Sequence, residues 1–364
     1  MNAPLHVAIA VLCGTTGGPA TYGRRLVQSL AAVDGLRVSV LTDRPEALAR
    51  PGLEIVPVPM RGGLDRLRWQ HWAVPRALGK LRPDVYHDTK NALPLGLSLP
   101  AVVTVHDLAY HTGPETFGFF SRLFLRRATA HASRLARAIV VPSQATATDL
   151  ARIHPACAQR IHVVPHGIDA APDVGAEQRE RVRARLRLPE HYVLHVGTVQ
   201  ARKNVDLVIQ GVRLLRQRGL PHKALVVGRS GWLADDAVRE IDRDDTAMWI
   251  EHVAAEDLPA VYAMAAAFVS PSAYEGFGLS VADALAAGVP TVIADRSSLP
   301  ELCGDAAVRL RDLSGSAVAD ALGPLLTDAQ QRDQLRERGR RRAAQFSWPA
   351  CAEAHLRAYR AAAQ

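Results

Sequence analysis

The sequence predicts an α/β protein built from two doubly wound parallel-sheet domains in series. Three observations predict it. The chain has 364 residues, too long for one ordinary domain and suited to two of about 150–200. Apolar runs of strand length alternate with helical stretches, the pattern of a parallel sheet covered on both faces. That pattern stops in a polar, Arg-rich stretch at 171–190, APDVGAEQRERVRARLRLPE, and then restarts. The expected division is a first domain over 1–170, a connector with a short helix over 171–190, a second domain over 191–345 and a last helix over 346–364.

His6 to Leu12 reads as a buried strand, followed by the loop Gly14-Thr15-Thr16-Gly17-Gly18-Pro19. A helix over about Ala20 to Val33 puts Tyr22, Leu26, Val27 and Leu30 near one face. Val38–Leu41, Ile55–Val58, Val85–His87, Val102–Val105, Ile139–Val141 and Ile161–Val164 read as further strands. The restart is Tyr192 to Gly197, a strand ending in glycine. Ala224–Val227, Met248–Ile250, Ala267–Ser270 and Thr291–Ala294 follow it. Phe346-Ser347-Trp348-Pro349 opens a last helix to about Ala362, with Pro near its first turn. This helix is expected to cross back to the first domain. Ligands of such sheets bind beyond the carboxyl ends of the strands, so the expected site is a cleft between two facing domains.

An apolar content of 48% with 22% charged residues is that of a globular domain and excludes a disordered chain. Cys13, Cys157, Cys303 and Cys351 are scattered without a CxxC spacing, which argues against a zinc site or a disulfide framework. No run reaches 18 consecutive apolar residues, and the first apolar run reads as a strand rather than a leader. The expected location is cytoplasmic. Residues 1–170 hold 19 Lys and Arg against 11 Asp and Glu, and residues 171–364 hold 25 against 25. The whole excess of +8 therefore lies in the first part, which suits either a plain Arg-rich solvated surface or an anionic membrane surface or acceptor. Nucleic acid is not expected, since aromatics are 5% and no recognition module shows.

The stretch with most chemical content is Ser270 to Gly304, SPSAYEGFGLSVADALAAGVPTVIADRSSLPELCG. Glu275 stands directly before the turn Gly276-Phe277-Gly278, and a helical run begins at Leu279. A helix opening after glycines presents unpaired backbone N–H groups to an anion. A carboxylate beside an anion site does not bind the anion; it suits accepting hydrogen bonds from hydroxyls attached to that anion. Phosphate and hydroxyls together suggest a nucleotide-sugar.

The chain resembles the retaining glycosyltransferases of the GT-B fold, family 4, nearly end to end. The resemblance is carried by Gly17-Gly18 with Tyr22, Val105-His106-Asp107, Val141-Pro142-Ser143 and Pro165-His166-Gly167-Ile168-Asp169. It continues through Val196-Gly197, Arg202-Lys203-Asn204, Val227-Gly228 with Gly231-Trp232, and above all the Glu275 block. It implies two Rossmann-like domains facing across a cleft. It also implies that Gly17 and Gly18 approach the donor diphosphate from the first domain. Arg202 and Lys203 would neutralise the charge that grows on the departing diphosphate. Gly276, Phe277, Gly278 and Leu279 would bind phosphate through their backbone. Glu275 would contact the donor sugar, Asp283 the ribose, and His106 the region of the reacting centre. Gly197 and Thr198 would line the diphosphate, and Val253 with His252 would border the base.

Two positions depart from the family pattern. Thr198 stands where Arg is frequent, and Asp283 completes a Glu-x7-Asp spacing where the family has Glu-x7-Glu. The shorter acid would hold the ribose less well or through water. Asp242-Arg243-Asp244 follows a helix-like stretch and reads as a solvated helix end, so no metal and no cofactor are expected. The nucleotide-sugar is a substrate.

The resemblance implies a metal-independent hexosyltransferase working by front-face attack. Within the family the EGFGL and DRSSLPEL segments are most similar to bacterial mannosyltransferases using GDP-mannose. The acceptor would be a glycan or lipid-linked hydroxyl in surface polysaccharide, lipopolysaccharide or glycolipid synthesis. A catalytically silent donor-binding subunit and a nucleotide-sugar 2-epimerase remain alternatives. Phe117 to Ala138 pairs Phe119, Phe120, Leu123 and Phe124 with Arg122, Arg126, Arg127, Arg134 and Arg137. Such a helix suits either an anionic bilayer surface or a core-packed position with solvated arginines. The first reading makes the enzyme peripheral on the inner face of the cell membrane.

Overall fold

The computed structural model describes residues 3–12, 17–58, 68–113, 117–231, 241 and 244–364. Cys13, Gly14, Thr15, Thr16, Trp232, Asp242 and Arg243, all named above, lie outside the described residues. The chain divides into two compact units. The first holds Met1–His111, Phe119–Gly167 and Phe346–Gln364, and the second Thr112–Gly118 and Ile168–Gln345.

The strands of the first unit are β1 (Leu5–Val11), β2 (Leu36–Thr42), β3 (Leu53–Pro57), β4 (Val85–Asp88), β5 (Ala101–Thr104), β6 (Ala138–Val141) and β7 (Ile161–Val163). They form one sheet in the order β3-β2-β1-β4-β5-β6-β7. Every pairing is parallel; Val7 of β1 stands opposite Val38 on one side and Val85 on the other. A central strand of this kind is covered on both faces, so it reads as a continuous apolar run. Val7, Ala8 and Ile9 are fully buried. The main helices here are α1 (Gly18–Leu30), α2 (Val74–Leu81), α3 (Phe119–Leu135) and α4 (Gln144–Ile153).

Helix α1 starts two residues earlier than its periodicity predicts, because Pro19 sits in its first turn and needs no hydrogen-bond partner there. Its apolar stripe, Tyr22, Leu26, Val27 and Leu30, is fully buried. Each such Leu or Val contributes about 1.5–3 kcal/mol relative to exposure.

The second unit holds β8 (Tyr192–Val196), β9 (Lys223–Val227), β10 (Ala247–Ile250), β11 (Ala267–Ser270), β12 (Thr291–Ala294) and β13 (Val308–Leu310). Their order is β10-β9-β8-β11-β12-β13, again all parallel. Its main helices are α5 (Ala176–Leu186), α6 (Val205–Gln217), α7 (Leu258–Ala263), α8 (Leu279–Ala286), α9 (Gly315–Thr327) and α10 (Ala329–Ala343). The core joins Val193, Val226 and Val269 of the sheet to Val208 and Val212 of α6 and to Val318 and Leu322 of α9.

The stretch 171–190 holds the short helix expected there. Helix α5 lies within it, buries Val182, packs against α7 and belongs to the second unit.

The last helix, α11 (Trp348–Ala363), returns to the first unit. Cys351, Ala352, Ala358, Tyr359 and Ala362 join the core of Tyr22, Leu26, Val102 and Val140. Gly167 permits this docking: a Cβ there would sit 2.5 Å from the Trp348 ring.

In each sheet the chain winds outward in both directions from one pair of neighbours. These pairs are β1/β4 in the first sheet and β8/β11 in the second. Ligands of open parallel sheets bind beyond the carboxyl ends of such a pair.

Candidate active site

Beyond β8 and β11, two loops are stitched together by backbone. Ala273 N–H donates to the Arg202 carbonyl at 2.8 Å, and Asn204 Nδ2 donates to the Pro271 carbonyl at 2.8 Å. Asn204 takes a left-handed conformation, φ 50°, ending the short turn Ala201–Lys203 and starting α6. This stitching turns Lys203 and Arg202 towards Glu275. Lys203 Nζ donates to Glu275 Oε1, and Arg202 Nη1 lies 3.3 Å from Oε2 and 2.6 Å from the Tyr274 carbonyl. Ser297 and Ser298 hydroxyls both donate to the Glu275 carbonyl, at 2.6 and 2.9 Å.

Glu275 is 7% exposed and Lys203 8%, so the ion pair is shielded from solvent. Burial alone would raise the Glu275 carboxyl. Lys203 and Arg202 outweigh it and hold the group at about 2, ionised at neutral pH. The two cations are therefore already paired to the carboxylate, a relationship that the separate roles inferred from sequence did not contain.

His195, inside β8, adds a third group. Its Nδ1 lies 2.9 Å from the Val269 carbonyl, so the proton sits on Nδ1 and Nε2 carries the lone pair. That Nε2 is buried and has no hydrogen-bond partner among the described residues. Burial lowers the ring to about 4. A Cβ on Gly197 would lie 3.6 Å from His195 Nε2 and 3.7 Å from Lys203 Nζ. In the sequence His195 was one polar letter in an apolar strand, a pattern that signals core.

Helix α8 opens beside this cluster. Gly276 and Phe277 are buried, and Gly278 has φ 99°, a conformation glycine adopts without penalty. A Cβ there would also meet Leu299 at 2.8 Å. The N–H groups of Leu279 and Ser280 start the helix and have no intrahelical carbonyl. Asp283 is exposed, one turn further along α8, and its charge acts on the buried Tyr262. Tyr262 Oη donates to the Ser280 carbonyl at 3.1 Å. Thr198 is exposed beyond β8. Val253 is buried on the loop after β10, at the sheet edge two strands from β8.

The first unit holds the remaining predicted residues. Gly17, φ 90°, opens α1 and is exposed with Gly18. His106 follows β5, and its Nε2 donates to the Thr89 carbonyl at 2.8 Å. Burial lowers the ring to about 4, against the opposing effect of that hydrogen bond. His106 is therefore a neutral acceptor at Nδ1 near pH 7.

Rings surround His106: Tyr22 edge-on at 4.9 Å and His166 at 5.6 Å. Behind them Tyr22 Oη meets Thr104 Oγ1 at 2.9 Å and His355 Nε2 at 2.7 Å. His87 bridges Tyr359 and Thr104, each at 2.8 Å. Asp107 Oδ1 accepts from Ala109 N–H at 3.0 Å, a local turn contact.

Among the described residues no group of three or more His, Cys, Asp or Glu is placed to hold a metal ion. Asp244 corrects one expectation. It is not solvated: its side chain is 7% exposed and pairs with Arg213 at 2.5 Å.

Residues 177–342 match the family described as glycosyl transferases group 1, and residues 16–171 match glycosyltransferase family 4. O-antigen chain mannosyltransferase B of Escherichia coli is 30% identical over 299 residues, covering 80% of this chain and 77% of that one. D-inositol 3-phosphate glycosyltransferase of Kineococcus radiotolerans is 33% identical over 250 residues, covering 62% of this chain and 57% of that one.

Among solved structures, Anabaena HepE in complex with UDP and glucose is similar with a TM-score of 0.76 at 18% identity, over 97% of this chain and 98% of that one. WaaG, a glycosyltransferase involved in lipopolysaccharide biosynthesis, is similar with a TM-score of 0.73 at 20% identity, over 96% and 99%. Those two likenesses concern the fold. By its matched families and its mannosyltransferase relative, the chain belongs to the family 4 glycosyltransferases, with the GT-B fold.

Proposed function

We propose that this glycosyltransferase moves mannose from GDP-mannose to a hydroxyl of a glycan or lipid-linked acceptor, with retention at the anomeric carbon. The observation that carries the reading is the buried Lys203–Glu275–Arg202 cluster beside the opening of α8, beyond the β8/β11 pair. A diphosphate entering there meets two cations and the first amides of a helix. By competing for Lys203 and Arg202, it releases the oxygens of Glu275 to accept hydrogen bonds from sugar hydroxyls. The charge that grows on the leaving diphosphate strengthens the cation contacts most in the transition state. The cations do the work of a divalent ion, so the reaction is metal-independent.

With Glu275 committed to these contacts, front-face attack follows, and the departing phosphate takes the acceptor proton. His106, neutral near pH 7, accepts a hydrogen bond from a sugar hydroxyl at Nδ1 and takes no proton. The relative's action on O-antigen supports mannose and a surface-polysaccharide acceptor. A thermal-shift comparison of GDP, UDP, ADP and their sugars tests the donor, since a ligand of the native state raises apparent stability. A shift with UDP-sugars and none with GDP-mannose contradicts the mannosyl donor.

The acceptor reading extends to an anionic bilayer. Phe119, Phe120 and Phe124 on α3 are 62%, 83% and 48% exposed, with Arg126, Arg127 and Arg134 exposed on the same helix and Arg137 just beyond its end. Arg122 lies over the Phe119 ring at 5.9 Å. Trp72 is exposed as well, with Arg76 at 5.9 Å from its ring. Aromatic side chains beside arginines match the interface of an anionic membrane. No helix among the described residues is long and apolar enough to cross one. The protein would then work peripherally on the cytoplasmic face.

A further inference from the structure

Beyond β1 and β4, the outward-winding pair of the first sheet, lies a small pocket that none of the predicted residues lines. Leu12, Trp69, Gln70, Asp88 and Lys90 are among its walls, and it encloses about 10 Å³, the room of one water or one hydroxyl group. Asp88 is spoken for: its Oδ1 accepts from Lys90 N–H at 2.8 Å and its Oδ2 from Tyr86 Oη at 3.1 Å. Thr89 Oγ1 donates to the Ala10 carbonyl at 2.7 Å.

Gln70 differs. It is 7% exposed, yet among the described residues its carboxamide makes no hydrogen bond. A carboxamide carries two donors and an acceptor; that of Gln70 is not among the fully buried polar atoms left without a partner, so its amide keeps a little accessible surface, which a water or a ligand hydroxyl can fill. Trp69 and Gln70 lie in a π-helical turn, Trp69–Ala73, just before α2. Such turns recur at functional sites. The pocket also adjoins His106, which donates to the carbonyl of Thr89 in the pocket wall.

We infer that this pocket takes one hydroxyl group of the acceptor saccharide, held by the Gln70 carboxamide, and so selects the acceptor. The inference rests on the glycosyltransferase reading above and deepens it. A hydroxyl-sized pocket suits a neutral sugar ring that leaves most of its surface outside. A site that hydrogen-bonds one hydroxyl discriminates strongly against the analogue lacking it.

The test uses the full chain with methyl α-mannoside and its monodeoxy analogues as acceptor probes. Saturation-transfer NMR reads their binding, and release of GDP from GDP-mannose reads turnover. The wild type should bind the parent and reject one monodeoxy analogue. Gln70→Ala should raise the KM for methyl α-mannoside by about tenfold or more and lose that one discrimination. Its donor hydrolysis without acceptor and its GDP affinity should stay unchanged.

Gln70→Met, which fills the same volume without polar atoms, should repeat the acceptor effect with an equal or higher melting temperature. Absence of binding by the wild type, or an unchanged acceptor KM in Gln70→Ala, overturns the proposal. So does a lower melting temperature in Gln70→Met with normal acceptor use, which marks the occupant as a structural water. Equal loss of acceptor-free hydrolysis would assign the pocket to the donor and overturn it too. Donor hydrolysis and GDP binding by the wild type report separately on the underlying reading.

Discussion

Lys203 Nζ donates a hydrogen bond to Glu275 Oε1 across 72 residues of sequence. Both side chains are about nine-tenths buried, and Arg202 closes the other side of the carboxylate. The pair makes Lys203 both structural and functional. Lys203→Ala should lower turnover by about 10²-fold or more, the scale for losing one preorganised electrostatic contact. It should also destabilise the fold by up to about 3–5 kcal/mol, because a buried carboxylate loses a partner. Lys203→Arg should restore most of the stability and less of the turnover. Denaturant melts and steady-state rates check both; near-normal turnover of Lys203→Ala at saturating donor refutes the diphosphate role.

Asp283 should behave in the opposite way. It is exposed on α8, so Asp283→Asn should leave the melting temperature unchanged. If the side chain contacts the ribose, nucleoside diphosphate affinity should fall by roughly 1.5–3 kcal/mol, the range for a hydrogen bond to a charged group. Asp283→Glu, one methylene longer, should tighten binding. Calorimetry with the free nucleotide measures both, and identical affinities for all three proteins return Asp283 to the solvated face.

The buried histidines predict acid lability. Burial lowers His106, His195 and His355 from 6.5 to about 4. It takes His87 and His166 well below their usual value. The folded state thus favours the neutral rings, while unfolded histidines take up protons near 6.5. Their contribution is present above pH 6.5 and is lost as pH falls towards 4. The Glu275 pair acts in the same direction at lower pH, between 4.5 and about 2. Unfolding midpoints in denaturant should fall steeply between pH 7 and pH 5. A flat profile there contradicts the buried neutral cluster.

For the membrane reading, vesicle co-sedimentation is the direct check. Binding to anionic vesicles at low salt, weakened by salt, is the expected result, since each basic residue near the surface contributes about 1 kcal/mol. Phe120→Ser with Phe124→Ser should reduce it while leaving transfer to a soluble acceptor intact. Equal, negligible binding to neutral and anionic vesicles refutes the surface and favours a soluble acceptor.

Much of this was legible in the sequence because the signals were local. The fully buried β1 announced itself as an apolar run. The opening of α8 announced itself through Gly276, Phe277 and Gly278. What escaped depends on distance along the chain or on brevity. The Lys203–Glu275 contact joins two loops that only the β8/β11 pairing brings together. His195 and Gln70 are single polar residues, and burial without a partner cannot be read from composition. Strand β13 is Val308-Arg309-Leu310, with an exposed arginine at its centre, so it gives no continuous apolar run. Helix α5 buries Val182 among exposed arginines, so the sequence showed the short helix but not its packing against α7.

The central claim is that the cluster around Glu275 turns over a nucleotide-sugar donor. The most direct measurement is release of nucleoside diphosphate from GDP-mannose, with and without acceptor and in the presence of EDTA, together with the anomeric configuration of the product by NMR. Acceptor-dependent GDP release that survives EDTA and gives the α-anomer is the predicted result. Absence of turnover with GDP-, UDP- and ADP-sugars alike, despite nucleotide binding, would contradict it and leave a silent donor-binding protein.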